Sequence, residues 1–320
     1  MESASVIAFQ AIVMFVLLFV GWLLYKKELL SDDATKQLSN IAISIINPIV
    51  IFNAYQKAFD PQMLRGLLWA LGLGAAAQAL LVAASYIFVK KSSENCVVER
   101  FSMPYSNCAF MGIPLVEATF GSDGVFYLTG FITMFNLFSW THGVIMMKGG
   151  EKQSARDTAK SLLKVLCSPA ILSIFLGLLF FFTGLRLPSV LQLPLDYLGS
   201  MNTPLAMLVS GATIAKAGLL KAFKQKRVYY VQAFKLLILP IIIAALLSPL
   251  RTLGIDPVIT NTILIAAAAP TASSTIMFSY KYGRNAEYAS NHFALSTVLS
   301  MLTLPSILLI AELFAKVFTG

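Results

Sequence analysis

Residues 106–115 read Ser106-Asn107-Cys108-Ala109-Phe110-Met111-Gly112-Ile113-Pro114-Leu115, and the proline near the end of this stretch decides the reading of the whole chain. The stretch lies inside an apolar run from about Phe101 to Phe120, the length of one membrane-spanning helix, which needs about 20 mostly apolar residues. Proline deep in a helix removes a backbone hydrogen bond and clashes with the preceding turn. Within lipid, the carbonyls so freed are tolerated only where protein or water satisfies them. A second run, about Val258 to Tyr280, carries Ala269-Pro270-Thr271 in the same way.

Eight more apolar runs flank these two: about Val6–Tyr25, Leu38–Tyr55, Leu64–Val89, Val125–Met147, Leu163–Leu185, Leu195–Ala217, Val228–Leu247 and Tyr288–Phe318. Ten predicted spans leave no room for a soluble domain in 320 residues. The composition agrees, with 58% hydrophobic and only 12% charged residues, against roughly 25% charge in ordinary globular chains. The start lacks a basic n-region and a small-residue cleavage site, so the first run is expected to be a retained helix.

The net charge of +9 does not point to nucleic acid. The basic residues form no patch with interleaved aromatics; they follow a topology. Connectors after the odd-numbered spans carry 18 Lys and Arg, and connectors after the even-numbered spans carry 4. The first set is therefore expected to be cytoplasmic, with both termini outside. Cys96, Cys108 and Cys167 form no CxxC pair and share no metal-ligand spacing with the two histidines, so no metal and no cofactor is expected.

Pro114 follows Pro48 by 66 residues, and Pro270 follows Pro204 by the same 66. One offset of 156 thus maps the second and fourth spans onto the seventh and ninth. Five spans is an odd number, so the second copy would be upside down, the inverted-repeat pattern of secondary transporters. The expected organisation is all-α: a first five-helix repeat at 1–147, a cytoplasmic connector at 148–162 and a second, inverted repeat at 163–320. Pro114 and Pro270 are each expected at the first position of a half-helix. Two half-helix N-termini would then face the bilayer centre and favour an anion.

The block from Ser106 to Leu115, followed by Phe120-Gly121, resembles the hallmark of the auxin efflux carrier family of membrane transport proteins. Asn136 with Trp140-Thr141, Pro204-Leu205-Ala206 through Gly211-Ala212, and Ala269-Pro270 with Tyr282-Gly283 and Leu295-Ser296-Thr297 extend the resemblance over essentially the whole chain. The short connector between the fifth and sixth spans is similar to that of compact prokaryotic members, many of them described as malate or malonate permeases. The resemblance implies a bile-acid-symporter-like arrangement in the cell membrane. Spans 1, 2, 6 and 7 would form a scaffold that pairs as a homodimer, and spans 4 and 9 would cross in a moving transport domain.

By the same resemblance Asn107 contacts the substrate near the crossing, where an amide donates to a carboxylate without burying a charge; an interhelical hydrogen bond is the plainer alternative. Gly112, Pro114 and Pro270 frame the predicted half-helices. Thr271, Ser273 and Ser274 offer hydroxyls beside them, or simply bond back to their own helix. Asn47 and Asn136 are second-tier candidates. Charged groups inside spans are functional suspects. Glu117 is either a protonatable coupling residue or an acid at the outer end of its span. Lys235 either snorkels to the inner interface or balances the charge of an anion. His142 is a proton-relay candidate whose simpler reading is a neutral packed imidazole, as is that of His292.

The expected function is alternating-access transport of a small organic anion, a mono- or dicarboxylate, across the bilayer. No carboxylate stands near Pro270, where sodium-coupled relatives place one, so potential-driven uniport or proton coupling is favoured over sodium symport. A symporter or antiporter of another solute, or a membrane receptor, are the rival readings. No Ser/His/Asp, HExxH or phosphate-loop arrangement points to an enzyme.

Overall fold

The computed structural model describes residues 2–149, 155–218 and 222–319. Helices account for nearly all of them. They are α1 (Glu2–Lys26), α2 (Asp32–Ala54), α3 (Pro61–Phe88), α4 (Cys96–Ser102), α5 (Ile113–Phe138), α6 (Ala155–Leu166) and α7 (Pro169–Thr183). After them come α8 (Ser189–Ser200), α9 (Asn202–Ala217), α10 (Lys226–Leu253), α11 (Pro257–Ala268), α12 (Ser274–Lys281) and α13 (Ala286–Thr319). Among the described residues α2, α3, α10 and the greater parts of α1 and α13 are long and apolar enough to cross a membrane, and α7 and α11 are shorter apolar helices. Large side chains such as Phe9, Ile12, Phe175 and Phe182 stand exposed on α1 and α7. Lipid is the solvent that suits such faces.

Local chemistry sets many of the boundaries. Asp60 and Asp256 each accept the amide of the residue two positions on, at 2.7 and 2.8 Å, with proline at the first helical position of α3 and α11. That combination starts a helix at little cost, because proline lacks an N–H that would go unpaired there anyway. Three π-helical turns, Ala42–Ile46, Cys108–Gly112 and Phe234–Ile238, each end two residues before a proline: Pro48, Pro114 and Pro240. The wider turn moves the carbonyl that a proline ring would otherwise strike. These prolines therefore sit within continuing helices and do not break them.

The predicted spans need four adjustments. The fourth and fifth abut without a loop, because the chain reverses at Gly121, where φ is 62° and ψ −155°, a conformation that suits only glycine. The seventh divides at Met201 into α8 and α9. The ninth divides at residues 269–273 into α11 and α12. The connector expected at 148–162 is helical from Ala155 onward, since α6 reaches back across that boundary; residues 150–154 lie outside the described residues.

Packing joins α1 to α9 and α7 to the second half of α2. The α1–α9 contact is backbone-close. A Cβ at Gly211 would stand 2.0 Å from the Leu18 carbonyl oxygen, and one at Gly21 would stand 2.2 Å from that of Leu208. Small residues permit such approach between membrane helices. Elsewhere α3, α5 and α11 pack together, and α13 packs against both α10 and α12.

Candidate functional site

Two helix interruptions meet in the interior. In the first, α4 stops at Ser102, residues 103–107 leave the helix through a turn at 103–104, and helix resumes at Cys108. Pro104 ends α4 by withholding an amide. The second covers residues 269–273, where Pro270 ends α11. The segments run antiparallel: Asn107 donates its backbone N–H to the Pro270 carbonyl (2.7 Å), Ala272 donates to the Tyr105 carbonyl (2.9 Å), and Ser106 pairs with Thr271 as an isolated bridge.

This geometry corrects the expected place of both prolines. Pro114 lies six residues inside its helix and Pro270 four residues before α12, so neither opens a half-helix. The two prolines are thus not structural counterparts, despite the shared 66-residue interval. Gly112 lies inside the π turn, where a Cβ would make only ordinary contact, 3.6 Å from the Cys108 Cβ.

The freed carbonyls of the first break are taken up one by one. The Ser102 carbonyl accepts the Thr271 hydroxyl (3.1 Å), Met103 accepts the Lys235 ammonium (3.1 Å), Pro104 accepts the Gln78 amide (3.2 Å) and Tyr105 accepts the Ala272 N–H. Helix C-termini favour such donors and a positive charge. Lys235 is wholly buried in the π turn of α10, so it does not snorkel to the interface. Among the described residues no carboxylate pairs with it.

The donor side of the same break is open. Asn107 is 5% exposed, and its side-chain Nδ2 has no partner; neither has the Ser106 hydroxyl. Thr271 is fully committed: its N–H donates to Ser296 Oγ (3.0 Å), and its hydroxyl also accepts from Gln232 (3.2 Å). Gln232 further contacts Nδ1 of buried His292 at 2.8 Å. Ser274 and Asn47 each keep an unpartnered buried oxygen, whereas Ser273 is half-buried. Asn136 donates to the Ile132 carbonyl of its own helix at 2.9 Å. His142 is held between two phenols, with Nδ1 2.9 Å from Tyr105 and Nε2 3.0 Å from Tyr86. The Tyr105 hydroxyl also donates to the Phe138 carbonyl at 3.0 Å, and Tyr86, at the other end of this chain of bonds, is exposed.

A cavity of about 530 Å³ opens on the side of the lysine-poor connectors. Its lining includes Asn53, Gln56, Glu117, Arg186, Gln192 and Asp196. Beside it Lys57 pairs with Asp123. Burial holds the Lys57 ammonium below the ordinary lysine range, partly offset by that bond. Glu117 is exposed to this cavity.

Comparison with known proteins shows the family. A family model described as "Membrane transport protein" matches residues 6–308. The chain belongs to the auxin efflux carrier family of membrane transport proteins. It is 25% identical over 303 residues to a protein of Rhizobium meliloti named "Putative malonate transporter", covering 92% of each chain. It is 24% identical over 310 residues to an uncharacterized transporter of Methanocaldococcus jannaschii, covering 92% of this chain and 95% of the relative. A similar uncharacterized transporter of Methanothermobacter thermautotrophicus is 23% identical over 299 residues. In this member of the family, Pro104, Gln78 and Gln232 escaped the sequence reading. Pro104 alone left a local signal, a second proline in the fourth run; the other two become visible only when α3 and α10 are brought to the break.

Proposed function

We propose that this protein is a secondary carrier, and not an enzyme, for a small organic anion of the mono- or dicarboxylate class, with malate, malonate and auxin-like anions as the candidates. One observation carries the reading. At the crossing, among the described residues, a buried ammonium, Lys235, has no carboxylate, and a buried amide, Asn107, has an unused donor. A buried cation is costly unless paired. A substrate carboxylate at the crossing supplies the missing charge and takes the Asn107 proton donor.

The architecture favoured is ten spans in two inverted halves. Under the 156-residue offset, the packing of α1 on α9 maps onto that of α7 on α2, and both contacts occur. Exchange of the site between the two sides would follow from movement of the α4–α5 and α11–α12 crossing against a scaffold of α1, α2, α7 and α9. A homodimer through the scaffold, residence in the cell membrane and termini on the outer side complete the proposal, the last from the lysine asymmetry. The test is counterflow: proteoliposomes preloaded with unlabelled malonate, malate or indole-acetate should accumulate the labelled anion transiently. Saturable binding with no flux would instead identify a receptor.

A further inference from the structure

We infer that Glu117 is the proton carrier of this transporter, and that a proton crosses with each anion. The inference rests on the carrier function proposed above. It starts from an inventory of the cavity. Asp196 receives the Asn53 amide (3.1 Å) and the Gln192 amide (2.7 Å), and Asp123 receives the Lys57 ammonium. Each of these two carboxylates thus accepts through its Oδ1. Arg186 gives one N–H to the Gln56 carbonyl, and its other N–H groups meet no acceptor among the described residues. The side-chain Nε2 of Gln56 is buried without a partner. Glu117 lines the same space, and among the described residues no side chain bonds or pairs with it. The cavity therefore holds two sets of unused donors and one unused carboxyl.

An arriving carboxylate matches the donors of Arg186 and Gln56 but faces the charge of ionised Glu117. A roughly spherical space of about 530 Å³ is about 10 Å across, and like charges within it repel enough to change proton affinity on the order of tenfold. Protonation of Glu117 removes the repulsion and converts the carboxyl from acceptor to donor. Linkage makes the effect mutual: the anion raises the affinity for the proton, and the proton raises the affinity for the anion. The polar track also leads inward. Val50 and Ser200 line the cavity, and close to them in the chain lie Asn47 on α2 and Asn202 at the start of α9, both buried with unpartnered amide atoms.

The experiment uses the full-length carrier in proteoliposomes holding a pH-sensitive dye, with the potential clamped by potassium and valinomycin and malonate as the probe. Wild-type protein should acidify the lumen when malonate is added outside. An acid-outside gradient should drive accumulation of about tenfold per pH unit, the ratio for one proton per anion. Glu117→Gln, fixed in the neutral form, should exchange malonate at a rate independent of pH and lose gradient-driven accumulation. Accumulation that persists in this variant, as when the protonated anion is itself the cargo, overturns the inference. Glu117→His should move the pH midpoint of uptake, and an unmoved midpoint also overturns it, even where Glu117→Gln is inactive. Absence of wild-type counterflow is a different failure: it removes the carrier function itself.

Discussion

In the first break, residues 103–107, the carbonyls of Met103, Pro104 and Tyr105 each have a donor from elsewhere in the fold, while the side-chain donors of Ser106 and Asn107 meet no acceptor among the described residues. In the second, residues 269–273, Thr271 is bonded through both its amide and its hydroxyl to three different segments. Two interruptions that look alike in sequence thus divide the work. The first leaves side-chain donors open in the same break that bonds buried Lys235; the second is the clasp bonded on every side. A symmetric pair of breaks need not make a symmetric site.

The comparison predicts different phenotypes for the two sides. The largest expected effect is at the first break. Lys235→Met retains volume but removes the charge, and should lower anion counterflow on the order of 10- to 100-fold, the range for losing a charge-assisted contact. On the clasp side, Thr271→Val leaves the Ser102 carbonyl without its donor and the Gln232 amide short of one acceptor. It should cost about 1–3 kcal/mol of stability, read as a lower Tm in detergent, with the half-saturating anion concentration little changed. A normal Tm with a severalfold weaker affinity would move Thr271 into the site. The smallest effect belongs to Asn136→Ala. Its amide serves only its own helix, and counterflow should stay within about twofold of wild type, given the usual size of such local bonds.

Much of the helical layout was legible in the sequence because membrane helices are written in long apolar runs. The Ser106–Leu115 block stood out as a candidate for the same reason, its polar residues interrupting an apolar run. The position of the break was not. Pro114 drew attention while Pro104 made the interruption, because a preceding π turn lets a helix absorb a proline and nothing local in the sequence announces that turn. The depth of Lys235 was hidden too. A lysine two turns from a helix end can reach water or turn inward, and the choice depends on the Met103 carbonyl, 132 residues away. Residue pairs of that separation are set by packing, which spacing within one run does not report.

The central claim is that the unused amide of Asn107 is a substrate contact. Asn107→Ala, reconstituted beside wild type and Asn136→Ala at matched protein density, tests it through counterflow of labelled malonate, malate and indole-acetate. The account predicts that Asn107→Ala falls to the level of protein-free liposomes, while keeping the wild-type elution profile in detergent. Counterflow at the wild-type rate in Asn107→Ala, for an anion that the wild-type protein exchanges, would contradict it.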